Sequence, residues 1–565
     1  MCVAAVLAGS GACAARRPPF NPADLTLARG LVQQGCYECL LEARSLYERV
    51  AEARGPAVAR QRLFEVNLLL ALREKELALD PAEAMRRARA LVRELPPQAD
   101  AERLVALVDV VPPDERGVPK ALRGPVLEAL MRPEFRTRSL GWVTQAAVDP
   151  MLKEYLLLAV ECARPTLGDQ TLPAPVGTAG LLTFRRAICK TIPDRASLEQ
   201  LLTDVPRFVE AGLFLARATL FDRDTAAVFS LGRGRVTATA YLAAPRQRFP
   251  ASTAVTYEMG IVAQVDGDLR RAAEHYTETL ALQPAHEDAR LGRATAFTYL
   301  GRSEDAVADA TYLIEAGAYN RGEAFYWRAY NRHRDAQERR RGVPVDPEER
   351  RRGVPGDPEE RRQGVPGDPE ERRQGVPVDP EERRQGVPVD SVLERARADI
   401  EQAKTLAASS RVLTLAGMIE HDQGEYEIAT ADLTLAAKLD RSNCVARWYL
   451  GVVTHTLEAW RETGGAFAEA ARCYDAAAQL SERARDEMAA RTDLDEEFRT
   501  RQIAGFDTAI KEDRSQESAS ALNAAIGYAR AGDRQAAERF IDQAARDPAR
   551  RMTAEDLRQV MRGPQ

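Results

Sequence analysis

Residues 259–284 read MGIVAQVDGDLRRAAEHYTETLALQP, and the small residues of this stretch recur further along the chain at a constant distance. Gly260 and Ala294 are separated by the same interval as Gly267 and Gly301, since 294 − 260 and 301 − 267 both equal 34. A constant spacing of this length indicates that one structural unit is repeated along the chain.

Each residue type in the stretch suits a hairpin of two packed helices. We expect Gly260 on the first helix to face Ala272 on the second, because small residues let two helix backbones approach closely. Gly267 should end the first helix in a left-handed conformation, which glycine adopts without strain. Tyr276 fills the space beside the small residues, and Pro284 interrupts the second helix. One such hairpin cannot bury its apolar face alone, so several must stack.

This pattern resembles the tetratricopeptide repeat (TPR), a helix–turn–helix unit of about 34 residues. Further copies follow at residues 415–436, 448–477 and 525–548, and a degenerate copy precedes them at 238–250. The resemblance covers residues 219–550. It implies an all-α fold, a right-handed α-solenoid of TPR and degenerate TPR-like repeats, in a bacterial protein that binds partners, does no chemistry and needs no cofactor.

The copy that begins at Trp448 departs from the template. Gly451 follows Gly417 at the usual interval, but its second-helix residues, such as Ala470 and Tyr474, arrive about seven residues late. We therefore expect an insertion in the turn of this hairpin.

An array of eleven-residue units interrupts another copy. The unit is Gly-Val-Pro-(Val/Gly)-Asp-Pro-Glu-Glu-Arg-Arg-(Arg/Gln), and it begins at Gly342, Gly353, Gly364, Gly375 and Gly386. By the spacing of the template, Ala329 should have its partner alanine at 341, but the matching residue is Ala396; the excess, 396 − 341, equals five units of eleven. The array, residues 341–395, is therefore expected to be one long flexible insertion between the two helices of a hairpin, where length has a small entropic cost. The near-identical units of the array are either a repeated docking motif or the product of tandem duplication without a function of their own.

The other segments divide as follows. The sequence of residues 21–111 predicts helical, TPR-like hairpins. Residues 112–218 are predicted to be helical, and they form either degenerate repeats or a separate domain. Repeats at 219–340 and 396–550 flank the array, and residues 551–565 are expected to be a C-terminal tail. No alternating strand pattern occurs, so the prediction stays all-α.

Composition limits the partners. The 565 residues carry a net charge of −6, which argues against nucleic acid or an anionic membrane as the main partner. No apolar run approaches the roughly 18–20 residues of a membrane-spanning helix. The expected partner is a protein or peptide, and a membrane is reached only through a lipid anchor.

The first residues resemble an export signal. Residues 1–20 are a signal-like or disordered leader in which the apolar run ends near Cys13, the candidate lipidated residue of a bacterial lipoprotein. A basic start is missing, and Ser10 stands where an aliphatic residue is usual. The protein is expected to be exported, periplasmic or envelope-anchored; the alternative is a cytoplasmic protein with an alanine-rich tail.

The eight cysteines are too few for a disulfide scaffold at this length. Cys36 and Cys39 form a Cys-x-x-Cys pair at an expected helix start, where thiol pKa values fall. The pair is either structural or, as the alternative, a redox pair or a local disulfide. The four cysteines in apolar helical stretches are expected in the core: Cys162, Cys189, Cys444 and Cys473.

In TPR proteins the first helices line a concave groove, and their positions 2, 5, 9, 12 and 13 contact partners. With Gly260 counted as position 8, position 12 is a histidine in three consecutive copies. Carried over in this way, the candidate groove residues are Tyr326, Tyr330, His333, Met418, His421, Trp448 and His455. The alternative is that these positions are merely packed or solvated. Adjacent repeats are too far apart for three imidazoles to share a zinc ion, so no metal site is expected.

Three functional classes remain open. The leading hypothesis is a non-catalytic TPR scaffold with a protein or peptide in its groove. The alternative is an enzyme or thiol-redox protein whose site lies in the N-terminal half, although residues 1–252 contain no histidine. The third is an assembly part that self-associates through the ends of the solenoid.

Overall fold

The computed structural model describes residues 21–53, 56–95, 98–111, 133–162, 179–189, 193–221, 228–340, 388–492 and 496–562. Within these ranges the chain forms 24 helices and no strand, which confirms the all-α prediction of an α-solenoid. The chain divides into two compact units. The first comprises residues 1–222 and 238–258, and the second comprises residues 223–237 and 259–565.

The first unit surrounds one buried helix. Its helices are α1 (Pro22–Gln34), α2 (Tyr37–Glu52), α3 (Ala57–Glu76), α4 (Ala82–Val92), α5 (Gln98–Val110), α6 (Pro133–Gln145), α7 (Pro150–Cys162), α8 (Gly180–Ile188), α9 (Arg195–Asp204), α10 (Ala211–Phe221) and most of α11 (Val228–Arg248). Every residue of α3 from Leu63 to Glu76 is buried. A helix that is buried on all sides shows no amphipathic stripe, and α3 is therefore the centre of this unit's core.

The second unit consists of the repeats and of a C-terminal extension. Its helices are α12 (Thr253–Val265, shared with the first unit), α13 (Leu269–Leu282), α14 (Glu287–Tyr299), α15 (Ser303–Glu315), α16 (Arg321–Arg340), α17 (Val389–Ala407), α18 (Ser410–Gln423), α19 (Tyr426–Leu439), α20 (Cys444–Thr456), α21 (Trp460–Ala489), α22 (Glu496–Arg530), α23 (Arg534–Ala544) and α24 (Arg551–Arg562). Residues 551–565, expected to be a tail, thus contain a helix, which packs through Leu557 and Met561.

The turns between first and second helices follow one rule. The glycine at this turn has a positive φ between 75° and 84° in four hairpins, at Gly267, Gly301, Gly424 and Gly532. The predicted left-handed caps are therefore confirmed.

The predicted insertion after Gly451 is wrong. Helix α21 begins at Trp460, which is the position that the repeat spacing requires for a hairpin without an insertion. Glu458 occupies the turn position of the glycine in the other hairpins and has a φ of 55°. Phe467 then occupies the position of Tyr276 in the first copy. The start of this helix was not recognised from the repeat pattern, because a glutamate replaces the turn glycine and Thr463 replaces the small alanine.

Large second-helix side chains fill the space that the glycines leave. A β-carbon on the glycine would lie 2.5 Å from the Tyr276 ring at Gly260, 2.5 Å from Leu433 at Gly417 and 2.8 Å from the Phe467 ring at Gly451. The glycines are therefore required by the large side chains of the facing helix, which include Tyr276, the residue expected to fill this space.

The helices on either side of residues 341–387 pack against one another. Ala329 of α16 and Ala396 of α17 lie in one buried cluster. Asp399 accepts hydrogen bonds from Arg328 at 2.7 Å and from Arg332 at 2.6 Å, as Asp309 does from two arginines of α14 one repeat earlier. Helix α17 begins at Val389, so the last residues assigned to the array are helical. The prediction of a flexible array otherwise falls on residues outside those described.

Two long helices replace the ordinary hairpin geometry near the C-terminus. Helix α21 has 30 residues and α22 has 35, against 13 or 14 for most other repeat helices. Arg514 of α22 joins them through Asp475 at 2.5 Å and Glu482 at 3.0 Å. The end of α22 serves as the first helix of the last hairpin.

Candidate functional site

Side-chain amides hold the first helices of adjacent hairpins side by side. Asn331 Nδ2 of α16 donates to Thr298 Oγ1 of α14 at 2.8 Å. Asn443, the N-cap of α20, donates to Ser410 Oγ and to Thr414 Oγ1 of α18, both at 2.8 Å. Because the amides bridge neighbouring repeats, the relative position of these helices is set by hydrogen bonds as well as by packing.

The fifth and ninth positions of the five first helices from α14 onward carry no charged side chain. These ten residues, which we call the uncharged floor, are Leu291, Thr295, Tyr326, Tyr330, Thr414, Met418, Trp448, Val452, Leu522 and Ile526. Eight of the ten are half-buried, whereas Tyr326 and Thr414 are buried. A strip of partly exposed uncharged groups suits apolar side chains of a partner.

Tyr326 and Tyr330 belong to an aromatic cluster that carries a cation. Tyr326 is 6% exposed, and its ring centroid lies 5.1 Å from that of Trp327 and 6.3 Å from that of Tyr330. The Arg411 guanidinium lies 4.3 Å from the Tyr326 centroid and also pairs with Glu323. Burial raises the pKa of Tyr326, so its hydroxyl stays neutral. Tyr326 thus supports the cluster from below, while Tyr330 and Arg411 reach the surface.

Two of the three predicted histidines converge on one carboxylate. His333 Nε2 lies 2.8 Å from Asp422 Oδ2, and His421 Nδ1 lies 3.2 Å from Asp422 Oδ1. Gln337 Nε2 donates to the same carboxylate at 3.3 Å. Burial alone would raise the pKa of Asp422, but the hydrogen bonds from His333 and His421 outweigh it and hold that pKa well below its usual range. His333 is 3% exposed, so its main contact joins α16 to α18, and His421 is the member of the pair that reaches the surface.

Met418, Trp448 and His455 all reach the surface. Met418 and Trp448 are half-buried and His455 is exposed. Trp448 packs edge-on against Phe467 with ring centroids 5.1 Å apart, and His455 packs edge-on against Trp460 at 5.2 Å. Five of the seven candidate groove residues are therefore at least partly accessible, and two are buried supports.

Three surface residues beside the floor were missed at the sequence level. Tyr299 is 63% exposed, and its ring lies 5.8 Å from that of Trp327. Arg411 and Arg530 are also exposed. Arg411 stands at position 2 of its repeat, and Tyr299 and Arg530 stand at position 13. Both positions are among the partner-contacting positions of TPR first helices, so the same numbering that identified the histidines also marks these three residues. Trp460 lies on a second helix, where no position in the template marked it.

The pair Cys36 and Cys39 forms a disulfide with an S–S distance of 2.02 Å, and both residues are fully buried. Tyr37 between them donates its backbone N–H to Glu210 Oε1 at 2.7 Å and its hydroxyl to Glu74 Oε1 at 3.1 Å. Thiol–disulfide exchange requires access to a sulfur atom. This bond therefore suits a staple at the start of α2 better than a redox centre.

Charged groups are buried together in the first unit. Arg73, which is fully buried, donates to Glu210 Oε1 at 2.5 Å and to Glu76 Oε2 at 3.0 Å. The Tyr155 hydroxyl donates to both oxygens of Glu76, at 2.6 and 2.7 Å. These contacts join α3 to its neighbours, although Arg73 Nη2 and Glu210 Oε2 are buried without a hydrogen-bond partner among the described residues.

A small cavity also lies in the first unit, lined by Tyr47, Arg62, Glu65 and Asp149 among others. Its volume of about 20 Å³ is the room that one water molecule needs. In the part of the chain that the structure describes, no three His, Cys, Asp or Glu side chains are grouped so that they could hold a metal ion. Among the same residues, no helix is both long and apolar enough to span a bilayer.

The expectation of a core position is confirmed for Cys444, which is buried, but Cys473 is only half-buried. Cys444 of α20 and Cys473 of α21 form a disulfide with an S–S distance of 2.04 Å, and Cys189 in the first unit is disulfide-bonded as well. Cys444 and Cys473 are far apart in the sequence, and only the packing of α20 on α21 brings them together.

No family model and no curated protein matches this sequence. Solved structures that resemble the chain include a monomeric IFIT1 mutant with m7Gppp-AAAA, at 11% identity over 92% of this chain and 99% of the other, with a TM-score of 0.37. A human IFIT1 dimer with PPP-AAAA matches at 10% identity over 94% and 95%, with a TM-score of 0.34. The APC/C hetero-tetramer Cut9-Hcn1 matches at 9% identity over 88% and 96%, with a TM-score of 0.35. The chain is an α-helical repeat protein with tetratricopeptide-like hairpins; likenesses this distant say nothing of what it binds.

Proposed function

We propose that the chain is a non-catalytic scaffold that binds a protein or peptide along the uncharged floor of its second unit. The observation that supports this most is the composition of the floor, in which ten residues from five successive hairpins carry no charge and eight reach the surface. Protein-binding faces are enriched in aromatic residues and methionine and depleted of charged residues at their centre, which is the composition of the floor.

Aromatic and methionine side chains supply most of the binding energy in this proposal. Tyr330, Met418 and Trp448 are half-buried, so each is held in place by its neighbours and still offers part of its surface. Anchors of this kind dominate measured interface energies. His421 and His455 add polar contacts at the edge, and Tyr326 and His333 act from beneath as supports.

The floor is also suited to binding by its rigidity. The bridging amides of Asn331 and Asn443 and the carboxylate of Asp422 connect neighbouring first helices. A surface that is already ordered loses less conformational entropy when a partner binds. A partner would therefore meet a preformed surface rather than order it.

We further propose that the protein works outside the cytoplasm. The Cys36–Cys39 and Cys444–Cys473 disulfides and the bonded Cys189 support an oxidising compartment, since reducing systems keep cytosolic thiols free. Lipidation at Cys13 remains a proposal of the same kind, because this residue lies outside the described ranges. A mass measurement of the native protein, with and without reduction, tests both points.

Affinity capture from native cells tests the scaffold itself. The baits are the whole protein, a floor variant with Met418→Ala and Trp448→Ala, and a control with Ile428→Ala and Leu435→Ala. The two control residues are each 46% exposed on the second helix α19, away from the floor. We expect a partner that the natural protein and the control hold and the floor variant loses, with equal helicity in all three. A partner that all three retain would move the binding surface elsewhere.

A further inference from the structure

An exposed arginine and an exposed histidine share one tryptophan at the C-terminal end of the repeats. The Arg530 guanidinium carbon lies 5.2 Å from the centroid of the Trp460 ring. The His455 ring meets the same tryptophan edge-on at 5.2 Å, with an interplanar angle of 84°. His455 is at position 12 and Arg530 at position 13 of successive first helices, so both belong to the rows that flank the uncharged floor.

Among the described residues, neither the Arg530 nor the His455 side chain has a hydrogen-bond or ion-pair partner. The other charged residues at the edge of the floor are engaged. Arg411 pairs with Glu323, Arg334 donates to Glu338 at 3.0 Å, and Asp422 is held by histidines. Arg530 thus differs from them in having all its donors available.

The tryptophan gives this cation a defined orientation. Stacking on an aromatic face restricts a guanidinium and leaves the N–H groups at its edge free to donate. A carboxylate accepts two such N–H groups at once, which is the strongest pairing available to arginine. His455, mounted on the same ring, offers a further ring nitrogen beside it.

We propose that Arg530, His455 and Trp460 form a subsite for an acidic side chain of the bound peptide. This inference rests on the proposed function, since the apolar side chains of the same peptide would lie on the uncharged floor. The occupant is thus an extended, otherwise apolar segment that carries one Asp or Glu beside Arg530. Glu458 and Glu462 are both exposed next to this cluster. Their negative charges lower the positive potential around Arg530, so a peptide carboxylate adds only modestly to the binding free energy.

The observations favour a peptide over a nucleic acid. Phosphate backbones are bound by several cations together, because each neutralised phosphate contributes to affinity. Among the described residues of the rows that flank the floor, Arg530 is the one arginine without an ion-pair partner, and it stands beside uncharged residues in a chain with a net charge of −6. One cation beside an apolar strip matches an acidic residue in an otherwise apolar segment.

Fluorescence anisotropy with a panel of paired peptides tests the subsite. The probes are short fluorescein-labelled peptides of Leu, Ala, Asp and Glu, each matched by a peptide in which Asn and Gln replace the acids. The proteins are the natural chain, Arg530→Gln, the control Arg472→Gln and Trp448→Ala. Arg472 is an exposed arginine of helix α21, to which Trp460 belongs, and lies away from the cluster. Circular dichroism first establishes that all four are equally helical.

We expect acidic peptides to bind the natural protein about fivefold more tightly than their amide counterparts, the gain of one exposed charge pair. Arg530→Gln should abolish this preference and leave amide peptides unaffected, and Arg472→Gln should change neither. Trp448→Ala should weaken both members of each pair, which tests the floor separately. Equal binding of acidic and amide peptides, or a preference that survives Arg530→Gln, would overturn the subsite while leaving the scaffold proposal in place. Failure of every peptide to bind the natural protein would also overturn the subsite, and the scaffold would then depend on the capture experiment.

Discussion

The Phe467 ring lies 2.8 Å from the point where Gly451 would carry a β-carbon. No ordinary carbon–carbon contact is that short, so Gly451→Ala must displace the ring, which Trp448 also holds. We expect a net loss of about 1–2 kcal/mol in the free energy of unfolding, because overpacking outweighs the better helix propensity of alanine. Gly465→Ala is the control: its added β-carbon meets nothing within 4 Å, and it should stabilise the protein. Urea unfolding measures both, and a stabilised Gly451→Ala would contradict this packing.

Glu458 occupies a turn that its neighbours fill with glycine. Its φ of 55° disfavours any residue with a β-carbon. We therefore expect Glu458→Gly to raise stability by about 0.5–1 kcal/mol, the relieved strain less the greater flexibility of glycine in the unfolded chain. Glu462→Gly, in the first turn of α21, should instead destabilise, because glycine is a poor residue within a helix. Thermal unfolding of the two variants compares them directly.

Asp422 contributes stability whose pH dependence has a definite sign. Its folded-state pKa is held below the unfolded value of about 3.9, so the contribution is full above that pH and is lost as the pH falls through the lower folded pKa. We expect Asp422→Asn to be less stable than the natural protein by about 1–2 kcal/mol at pH 7. The difference should shrink below about pH 4. Urea midpoints at pH 7, 5 and 3.5 measure it; a difference that does not depend on pH would argue against the histidine–aspartate contacts.

Glu74 has the opposite behaviour. Its burial raises its pKa to about 7, so the folded state binds a proton that the unfolded state lacks between pH 4.5 and 7, and stability falls as the pH rises through that range. Glu74→Gln keeps an acceptor for the Tyr37 hydroxyl and removes the charge. We expect it to be more stable than the natural protein by about 1–2 kcal/mol at pH 8, after allowance for solvent screening, and to lose the decline. Matching stability–pH curves would show that Glu74 is not desolvated as described.

Removal of four array units should leave the hairpin intact. Deletion of residues 343–386 takes out four complete units of eleven and leaves Arg341, Gly342, Val387 and Pro388 between α16 and α17. A four-residue connection is ordinary for antiparallel helices. Because Asp399 still meets Arg328 and the buried clusters are unchanged, we expect the same helicity and a melting temperature within about 3 °C. A large loss of helicity would mean that the array takes part in the fold.

Much of the repeat architecture followed from the spacing of a few small residues. Gly260, Gly267 and Ala272 have counterparts at one fixed interval because a helical hairpin needs close approach and a left-handed turn at set distances. The second helix of the α20–α21 hairpin was predicted too late in the sequence, because Glu458 takes the turn conformation that glycine takes in the other hairpins. The packing of Phe467 on Gly451 supports this turn despite the β-carbon of Glu458. In the first unit, residues 21–111 were predicted as helical, TPR-like hairpins, and residues 112–218 as either degenerate repeats or a separate domain. The central position of α3 was not predicted, because a helix that is buried on all sides leaves no periodic signal.

The sequence by itself determined the helical repeat and the rows of positions that face the same way, since both depend on local spacing alone. The tertiary structure decided which members of a row are accessible. His333 is buried and His455 is exposed although they hold the same position, because Asp422 from the next hairpin covers the former and Trp460 only flanks the latter. The disulfide of Cys444 with Cys473 was decided in the same way, since long-range packing brings these residues together.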